Sequence, residues 1–343
     1  MNRYLLLVIC CSCMAIGCHA QQKKKAYKVT KQPVVLTADD LFMQAENYLK
    51  GEKGYPKDTV KAFGLYKKAA EKGHANAQYE YGQCYYLGRG TKINDEEAVI
   101  WFRKAAEQGH PAAQYELGCC FYNGDGTWKD YEKAVYWYRK SAEQGYSDAQ
   151  LNLGVCYGNG HSVSKDKSQA IFWYRKAAEQ GNAKAQFNMG LYFYNGWGVS
   201  QDYSMAVYWY RKSAERGLAD AQLNLGVCYA DGHGVPKDVS QAVYWYRKAA
   251  EQGNAKAQFN MGLYYVKGWG VSQDYSMAVY WYRKSAEQGN AGAQLNLGNC
   301  YYYGTGVEKD LDEAKKWWIS AAQQENAQAI RNLYNLLGIK WYK

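Results

Sequence analysis

The chain has 343 residues, of which 48% are apolar and 16% aromatic, with only four prolines and a formal net charge of +10. This composition is too apolar for a disordered chain and suits a long helical array. Much of the positive charge lies before residue 33, where there are no acidic residues, and the rest of the chain has nearly equal numbers of basic and acidic residues. The repeats therefore lack the basic surface that a nucleic-acid interface requires.

The first twenty residues have the pattern of an export signal. The apolar run from Tyr4 to Ile16 follows a single positive charge and is too short to span a bilayer. Two cleavage sites remain open. The residues before Cys18 resemble a lipobox, which would end the signal at residue 17 and attach a lipid to Cys18, whereas ordinary cleavage would follow Ala20. Either alternative predicts an exported protein that is periplasmic, secreted or lipid-anchored to the envelope.

Residues 21–38 follow the signal and are predicted to form a basic, flexible linker. Five of them are lysines, and they carry much of the net charge. We interpret the segment as a solvated tether rather than as an anion-binding site.

A glutamine recurs every 36 positions through the rest of the chain, together with its neighbours: Gln78, Gln114, Gln150, Gln186, Gln222, Gln258 and Gln294. A repeat of this length holds two helices and must bury its apolar face against neighbouring repeats. The period therefore predicts an all-α solenoid of stacked antiparallel helix pairs. We place a degenerate first repeat at 39–74, seven repeats at 75–326, and a capping helix with a tail at 327–343.

Within each unit, apolar spacing and capping residues define two helices. In the first helix, Gln186, Met189 and Gly190 lie on one stripe, and the glycine predicts a close helix contact. The second helix starts after an N-cap such as Asp202 and buries Trp209. The third residue beyond this cap is Glu or Gln in four units, which predicts capping boxes at Glu97, Gln169, Gln241 and Glu313.

The repeated pattern A-x-A-Q…G…Y…G-x-G-V…D…A-x-x-W-Y…K-A-A-E-Q-G, as in Ala183 to Gly217, resembles the SEL-1-like repeat family, a relative of the tetratricopeptide repeats. The resemblance implies a right-handed superhelix that acts as a protein-binding scaffold without a cofactor. Some relatives are described as β-lactamases. Other members staple their helices with paired cysteines, but Ala178 and Gln186 occupy those places here.

One face of each first helix is the candidate partner surface. It carries an asparagine at the same register in five units: Asn152, Asn188, Asn224, Asn260 and Asn296. Each amide offers a donor and an acceptor, so the series could hold the main chain of an extended protein or peptide partner. The alternative is that these side chains bridge neighbouring units.

A second period of 72 residues marks the exposed positions where alternate units differ. Asp148 and Asp220 alternate with Lys184 and Lys256 at the start of the first helix. These four charges are candidate partner-binding residues, although exposed pairs between adjacent units are favoured. In the loop between helices, His161 and His233 alternate with Trp197 and Trp269, and the tryptophans are candidates for partner contact, although packing back over the loop is favoured.

The repeat cysteines are predicted to be buried thiols. Five share one register of the first helix, at Cys84, Cys120, Cys156, Cys228 and Cys300. Equivalent positions of stacked helices lie about 10 Å apart, beyond the reach of a disulfide.

Catalytic and metal-binding patterns are sparse. Ser162 to Lys165 satisfies the S-x-x-K pattern of penicillin-binding enzymes, but in a single loop and without the partner motifs. His74 and His110 lack further ligands at suitable spacing. We therefore predict no catalytic, cofactor-binding or metal-binding residue and a non-catalytic scaffold. The alternatives are a β-lactamase or cell-wall hydrolase, and a eukaryotic lumenal adaptor.

Overall fold

The computed structural model describes residues 35–337. The predicted export signal, the lipidation candidate Cys18, most of the linker and the last six residues lie outside this range. The predicted linker, residues 21–38, overlaps the described range only at its C-terminal end, where Thr37 caps the first helix.

Residues 35–337 contain seventeen helices and no strand. All have 13 residues except the last, which has 11. In chain order they are α1 (Ala38–Lys50), α2 (Thr59–Glu71), α3 (Ala75–Leu87), α4 (Asp95–Glu107), α5 (Pro111–Asn123), α6 (Tyr131–Glu143), α7 (Ser147–Asn159), α8 (Lys167–Glu179), α9 (Ala183–Asn195), α10 (Tyr203–Glu215), α11 (Ala219–Asp231), α12 (Val239–Glu251), α13 (Ala255–Lys267), α14 (Tyr275–Glu287), α15 (Ala291–Tyr303), α16 (Leu311–Gln323) and α17 (Ala327–Leu337). We call the odd-numbered helices A helices and the even-numbered ones B helices.

Each helix packs against the next along the chain, so the helix pairs stack in sequence order. The buried side chains form a succession of clusters that run from Leu41 in α1 to Leu333 in α17. The predicted all-α solenoid is confirmed. Because each unit buries its apolar face only against its neighbours, the core is extended along the array.

Glycine allows the A and B helices of one unit to approach closely. Gly190 of α9 lies against the ring of Tyr210 of α10, and a Cβ atom built on Gly190 would be 2.4 Å from the ring atom Cδ1. Tyr210 is 1% exposed, so the ring fills the space that a side chain at Gly190 would need. The predicted close contact at this glycine is therefore present.

The B helices start with the predicted caps but without the predicted capping boxes. Asn94 and its equivalents accept a hydrogen bond from the backbone of the third residue on, as Asn94 does from the N–H of Glu97. In the described part of the chain, the reciprocal bond is present only between Thr37 and Asp40. The four predicted boxes are incomplete because the N–H of each cap already donates to the preceding A helix, as Asn94 does to the carbonyl of Tyr85 at 3.0 Å.

The repeated glutamine links three helices. Gln222 of α11 is 3% exposed; its Nε2 donates to the carbonyl of Ala214 at 3.1 Å, and its Oε1 accepts from Nε2 of Gln252 at 2.7 Å. The same pair of bonds recurs along the array. Gln186 breaks the series, because Arg216 stands where other units have the second glutamine, and the Oε1 atom of Gln186 is buried without a partner. The 36-residue glutamine period therefore encodes the contact between units.

Candidate functional site

The asparagines of the candidate surface divide into two classes. Asn152, Asn224 and Asn296 lie beside a tyrosine of the preceding B helix, at Tyr138, Tyr210 and Tyr282. Burial raises the pKa of Tyr282 to about 12, and a hydrogen bond from Asn296 opposes that rise. In these three units the asparagine contacts a tyrosine of the neighbouring repeat, which favours the interpretation that it bridges units.

Asn188 and Asn260 are different. The tyrosines that precede them, Tyr174 and Tyr246, contact Tyr192 and Tyr264 instead, with ring centroids 5.3 Å apart in both pairs. Both asparagines are half-buried, and neither makes a hydrogen bond within residues 35–337. Their amides are therefore available to a ligand.

Two carboxylates that were not predicted extend this series towards the N-terminus. Glu80 and Glu116 occupy the register of Asn152 in the two preceding units. Burial, and secondly the charge of Glu46, raise the pKa of Glu80. Burial also raises the pKa of Glu116, although a hydrogen bond from Gln83 at 3.0 Å opposes the rise. The 36-residue spacing was the signal that could have revealed them.

Three equivalent cavities open on the A-helix side of the array. They measure about 210 Å³ between α5 and α7, about 250 Å³ between α9 and α11, and about 260 Å³ between α13 and α15. Each is lined by a tyrosine of the B helix and the following asparagine, and also by apolar residues of the two A helices, such as Leu191 and Val227 in the second cavity. Each cavity combines an apolar lining with an amide, which suits one side chain of a polypeptide.

The predicted Asp–Lys pairs between units are not formed. Asp148 accepts a hydrogen bond from Nδ2 of Asn182 at 2.7 Å, and Asp220 accepts one from Asn254 at 2.9 Å. The described residues contain no ion pair at Lys184 or Lys256, which are both exposed. The prediction was wrong because these asparagines cap the next A helix and lie nearer the carboxylates than the lysines do.

The loop residues that alternate every second unit are held by aromatic contacts. Trp197 and Trp269 place one edge on Tyr192 and Tyr264, at centroid distances of 5.6 and 5.5 Å, yet remain 39% and 48% exposed. In the alternate units, His161 and His233 stack on Tyr131 and Tyr203, and each forms a hydrogen bond with a second tyrosine at 3.0 Å. Trp128, which sequence reasoning missed, is 91% exposed and is the only tryptophan at its loop register.

His74 and His110 have a structural role. Their Nδ1 atoms accept hydrogen bonds from the first turns of α3 and α5, at 3.0 and 3.1 Å. Burial lowers the pKa of His110, which favours the neutral ring that can accept this hydrogen bond. In the part of the chain that the structure covers, no group of three His, Cys, Asp or Glu could hold a metal ion.

The cysteines of the repeats are free thiols. Five are buried in A helices, and Cys119 is half-buried. Burial raises the pKa of Cys228 to about 12, so this thiol is protonated and unreactive at neutral pH.

None of the helices within 35–337 is long and apolar enough to cross a bilayer.

Ser162 and Ser164 lie exposed in the loop before α8, and neither hydroxyl has a hydrogen-bond partner in the described residues. Ser162 lines a cavity of about 360 Å³ that also contains Arg139, Lys140, Glu132 and Glu143, and none of these side chains is hydrogen-bonded to its hydroxyl within residues 35–337. Ser162 has φ +52°, at the register where Gly126 has φ +62°. Ser162 therefore has the left-handed backbone conformation that glycine adopts at this register. Its hydroxyl lacks the hydrogen bond to a base that would activate a nucleophile.

Substituting Ser162→Gly is expected to raise the free energy of unfolding by about 0.5–1 kcal/mol, because relief of left-handed strain exceeds the entropy cost of glycine. Chemical denaturation of the full-length chain measures the change. Ser164→Gly, in the same exposed loop but without a positive φ, should be neutral or slightly destabilising. Equal effects of the two substitutions would contradict this account of the loop.

Stacked helix pairs with a continuous, pocketed face make this chain an α-solenoid scaffold. The family model for the Sel1 repeat matches eight consecutive segments, at 41–74, 75–110, 111–146, 147–182, 183–218, 219–254, 255–290 and 291–326. The chain belongs to the Sel1 repeat family. The first of these segments is the unit that the sequence pattern identified as degenerate.

Two solved structures share this fold at substantial identity. The crystal structure of c5321, a protective antigen of uropathogenic Escherichia coli with an SLR fold, is 37% identical with a TM-score of 0.79, covering 88% of this chain and 65% of that chain. A Sel1 repeat protein from Oxalobacter formigenes is 34% identical with a TM-score of 0.68, covering 87% and 86% of the two chains. Chitin synthase regulatory factor 3 of Schizosaccharomyces pombe is 36% identical over 77 residues, which span 22% of this chain and 8% of that protein. The scaffold fold is consistent with protein–protein interaction.

Proposed function

We propose that this protein is an exported, non-catalytic scaffold, periplasmic, secreted or anchored to the envelope, that binds a polypeptide along its A-helix face. The observation that carries the proposal is the pair of half-buried amides, Asn188 and Asn260, without protein partners on a face that also holds three cavities. Each of these amides offers a donor and an acceptor that no side chain or backbone group within 35–337 uses, and the main chain of a ligand could bond to both. Export rests on the charge and the apolar run of the first twenty residues.

Site-specific photocrosslinking in the cells that express the full-length chain tests this proposal. A photoreactive residue in place of Leu191, which lines the second cavity, should give discrete, protease-sensitive adducts. The same residue in place of Tyr208, which is 46% exposed on a B helix, is the matched control and should give few. Adducts of equal yield at both positions, or none at Leu191, would overturn the proposal. Fractionation of the same cells tests export.

A further inference from the structure

The three cavities recur every second unit because large and small residues alternate on facing A helices. Tyr194 of α9 lines the cavity between α9 and α11, and it packs against the buried cluster that contains the short side chain of Cys228 of α11. Between α7 and α9 the sizes are reversed: Gly158 faces Tyr192, whose hydroxyl lies 2.6 Å from the position that a Cβ atom on Gly158 would take. Tyr192 thus fills the space that remains open in the neighbouring pair.

The same exchange occurs once more along the array. Ala230 of α11 packs in the cluster that contains Tyr264 of α13, whereas the cavity between α13 and α15 is bordered by Val266 and Cys300. The face therefore presents cavities and free amides in alternation. From the N-terminal side, the order is first cavity, Asn188, second cavity, Asn260 and third cavity.

The spacing of the cavities defines the geometry of a matching ligand. Neighbouring A helices lie about 10 Å apart, so successive cavities are roughly 20 Å apart. An extended chain rises about 3.3 Å per residue, so this distance corresponds to about six residues. Since side chains of an extended chain alternate in direction, an even spacing points all three anchors to the same side.

The charge of the face is complementary to a basic segment at one end. Glu80 and Glu116 continue the asparagine register on the N-terminal side of the first cavity, and Asp148 lies near Glu116. No lysine or arginine forms an ion pair with these three carboxylates in the described part of the chain. Burial disfavours the charged forms of Glu80 and Glu116, and the charges of Arg89 and Lys50 at Glu80 and the hydrogen bond from Gln83 at Glu116 oppose this effect. A cation of the ligand would stabilise them.

We propose that the ligand is an extended polypeptide with three bulky apolar residues spaced six apart, which enter the three cavities, and with a basic residue near one end that pairs with Glu116 and Glu80. This inference rests on the proposed function and specifies the ligand. Asn188 and Asn260 bind the main chain between the anchors. The carboxylates determine which end of the ligand lies at α3 and α5.

Fluorescence anisotropy with synthetic peptides and the full-length chain tests the spacing. One peptide carries two lysines, followed by three leucines at six-residue intervals in a serine–threonine background. Two others have the same composition, with the leucines at intervals of five or seven. The six-residue peptide is expected to bind at least about tenfold more tightly, because the other intervals remove an apolar anchor from its cavity.

A variant that places in the second cavity the residues found at the filled position between α11 and α13 tests the role of the cavity directly. Tyr194→Ala with Cys228→Tyr reproduces the pairing of Ala230 with Tyr264 and should fill the second cavity. It should weaken the six-residue peptide about tenfold. The control, Asn188→Ala with Asn260→Ala, removes the free amides, leaves the cavities open and should keep the spacing preference while weakening all three peptides. A thermal melt establishes that each variant is folded.

The charge is tested by Glu80→Gln with Glu116→Gln, which should remove the advantage of the lysine-bearing peptide over one in which glutamines replace the lysines. Binding without a spacing preference, or undiminished binding by the folded filled-cavity variant, would overturn this inference and leave the proposed function intact. If none of the peptides binds and Leu191 also gives no adduct in cells, the proposed function itself fails. If the filled-cavity variant does not fold, the comparison of the three peptides on the unaltered chain still tests the inference.

Discussion

Gly190→Ala is expected to lower the free energy of unfolding by about 2 kcal/mol, because it overpacks the contact between α9 and α10. The added Cβ would be 2.4 and 2.5 Å from two ring carbons of Tyr210. That ring is buried between units, so it can move only if the helices separate. The loss would occur even though alanine favours a helix by about 0.5–1 kcal/mol over glycine.

Gly64→Ala is the matched control for this substitution. Gly64 lies in α2, and a Cβ atom there would meet no heavy atom within 4 Å. This variant should gain about 0.5–1 kcal/mol from helix propensity alone. Chemical denaturation of the full-length chain, followed by far-UV circular dichroism, compares the two. A gain at both glycines would show that the close helix contact does not limit stability.

Gln222→Leu is expected to cost about 2 kcal/mol, because the leucine removes two hydrogen bonds from a buried site while nearly keeping the side-chain volume. The carbonyl of Ala214 would lose its side-chain donor, and Nε2 of Gln252 would lose its acceptor at 2.7 Å. Denaturation midpoints and slopes, measured on the full-length chain, give the change.

Arg216→Gln should have the opposite sign. It supplies the second glutamine that the ladder lacks at Gln186, whose Oε1 atom is buried without a partner, and should gain about 1 kcal/mol. If Arg216→Gln destabilises the chain, or if Gln222→Leu is neutral, then the glutamines do not link the units.

Much of this architecture was predictable because each unit specifies its own two helices locally. Apolar spacing, the caps of the B helices and the close contact at Gly190 depend on residues near one another in sequence, and all were predicted. The errors arose where a nearer group competed for the same partner. The N–H of Asn94 donates to Tyr85 rather than to Glu97, and Asp148 accepts from Asn182 rather than pairing with Lys184.

The candidate site was only partly predictable for the same reason. The asparagine register was predicted from the sequence. The five asparagines were predicted to be equivalent, and Glu80 and Glu116 were not recognised as members of the same register. Which amides are free depends on whether Tyr174 bonds to Tyr192 or Tyr210 bonds to Asn224, and that choice is made between units.

By itself, the sequence determined the all-α repeat fold, the register of each helix and the existence of a 72-residue period, because these follow from local propensity and from apolar spacing. Only the tertiary structure decided where that period opens a cavity and where it leaves an amide free. A cavity is a property of facing helices: a space remains where α9 carries Tyr194 and α11 carries Cys228, whereas Tyr192 fills the space beside Gly158.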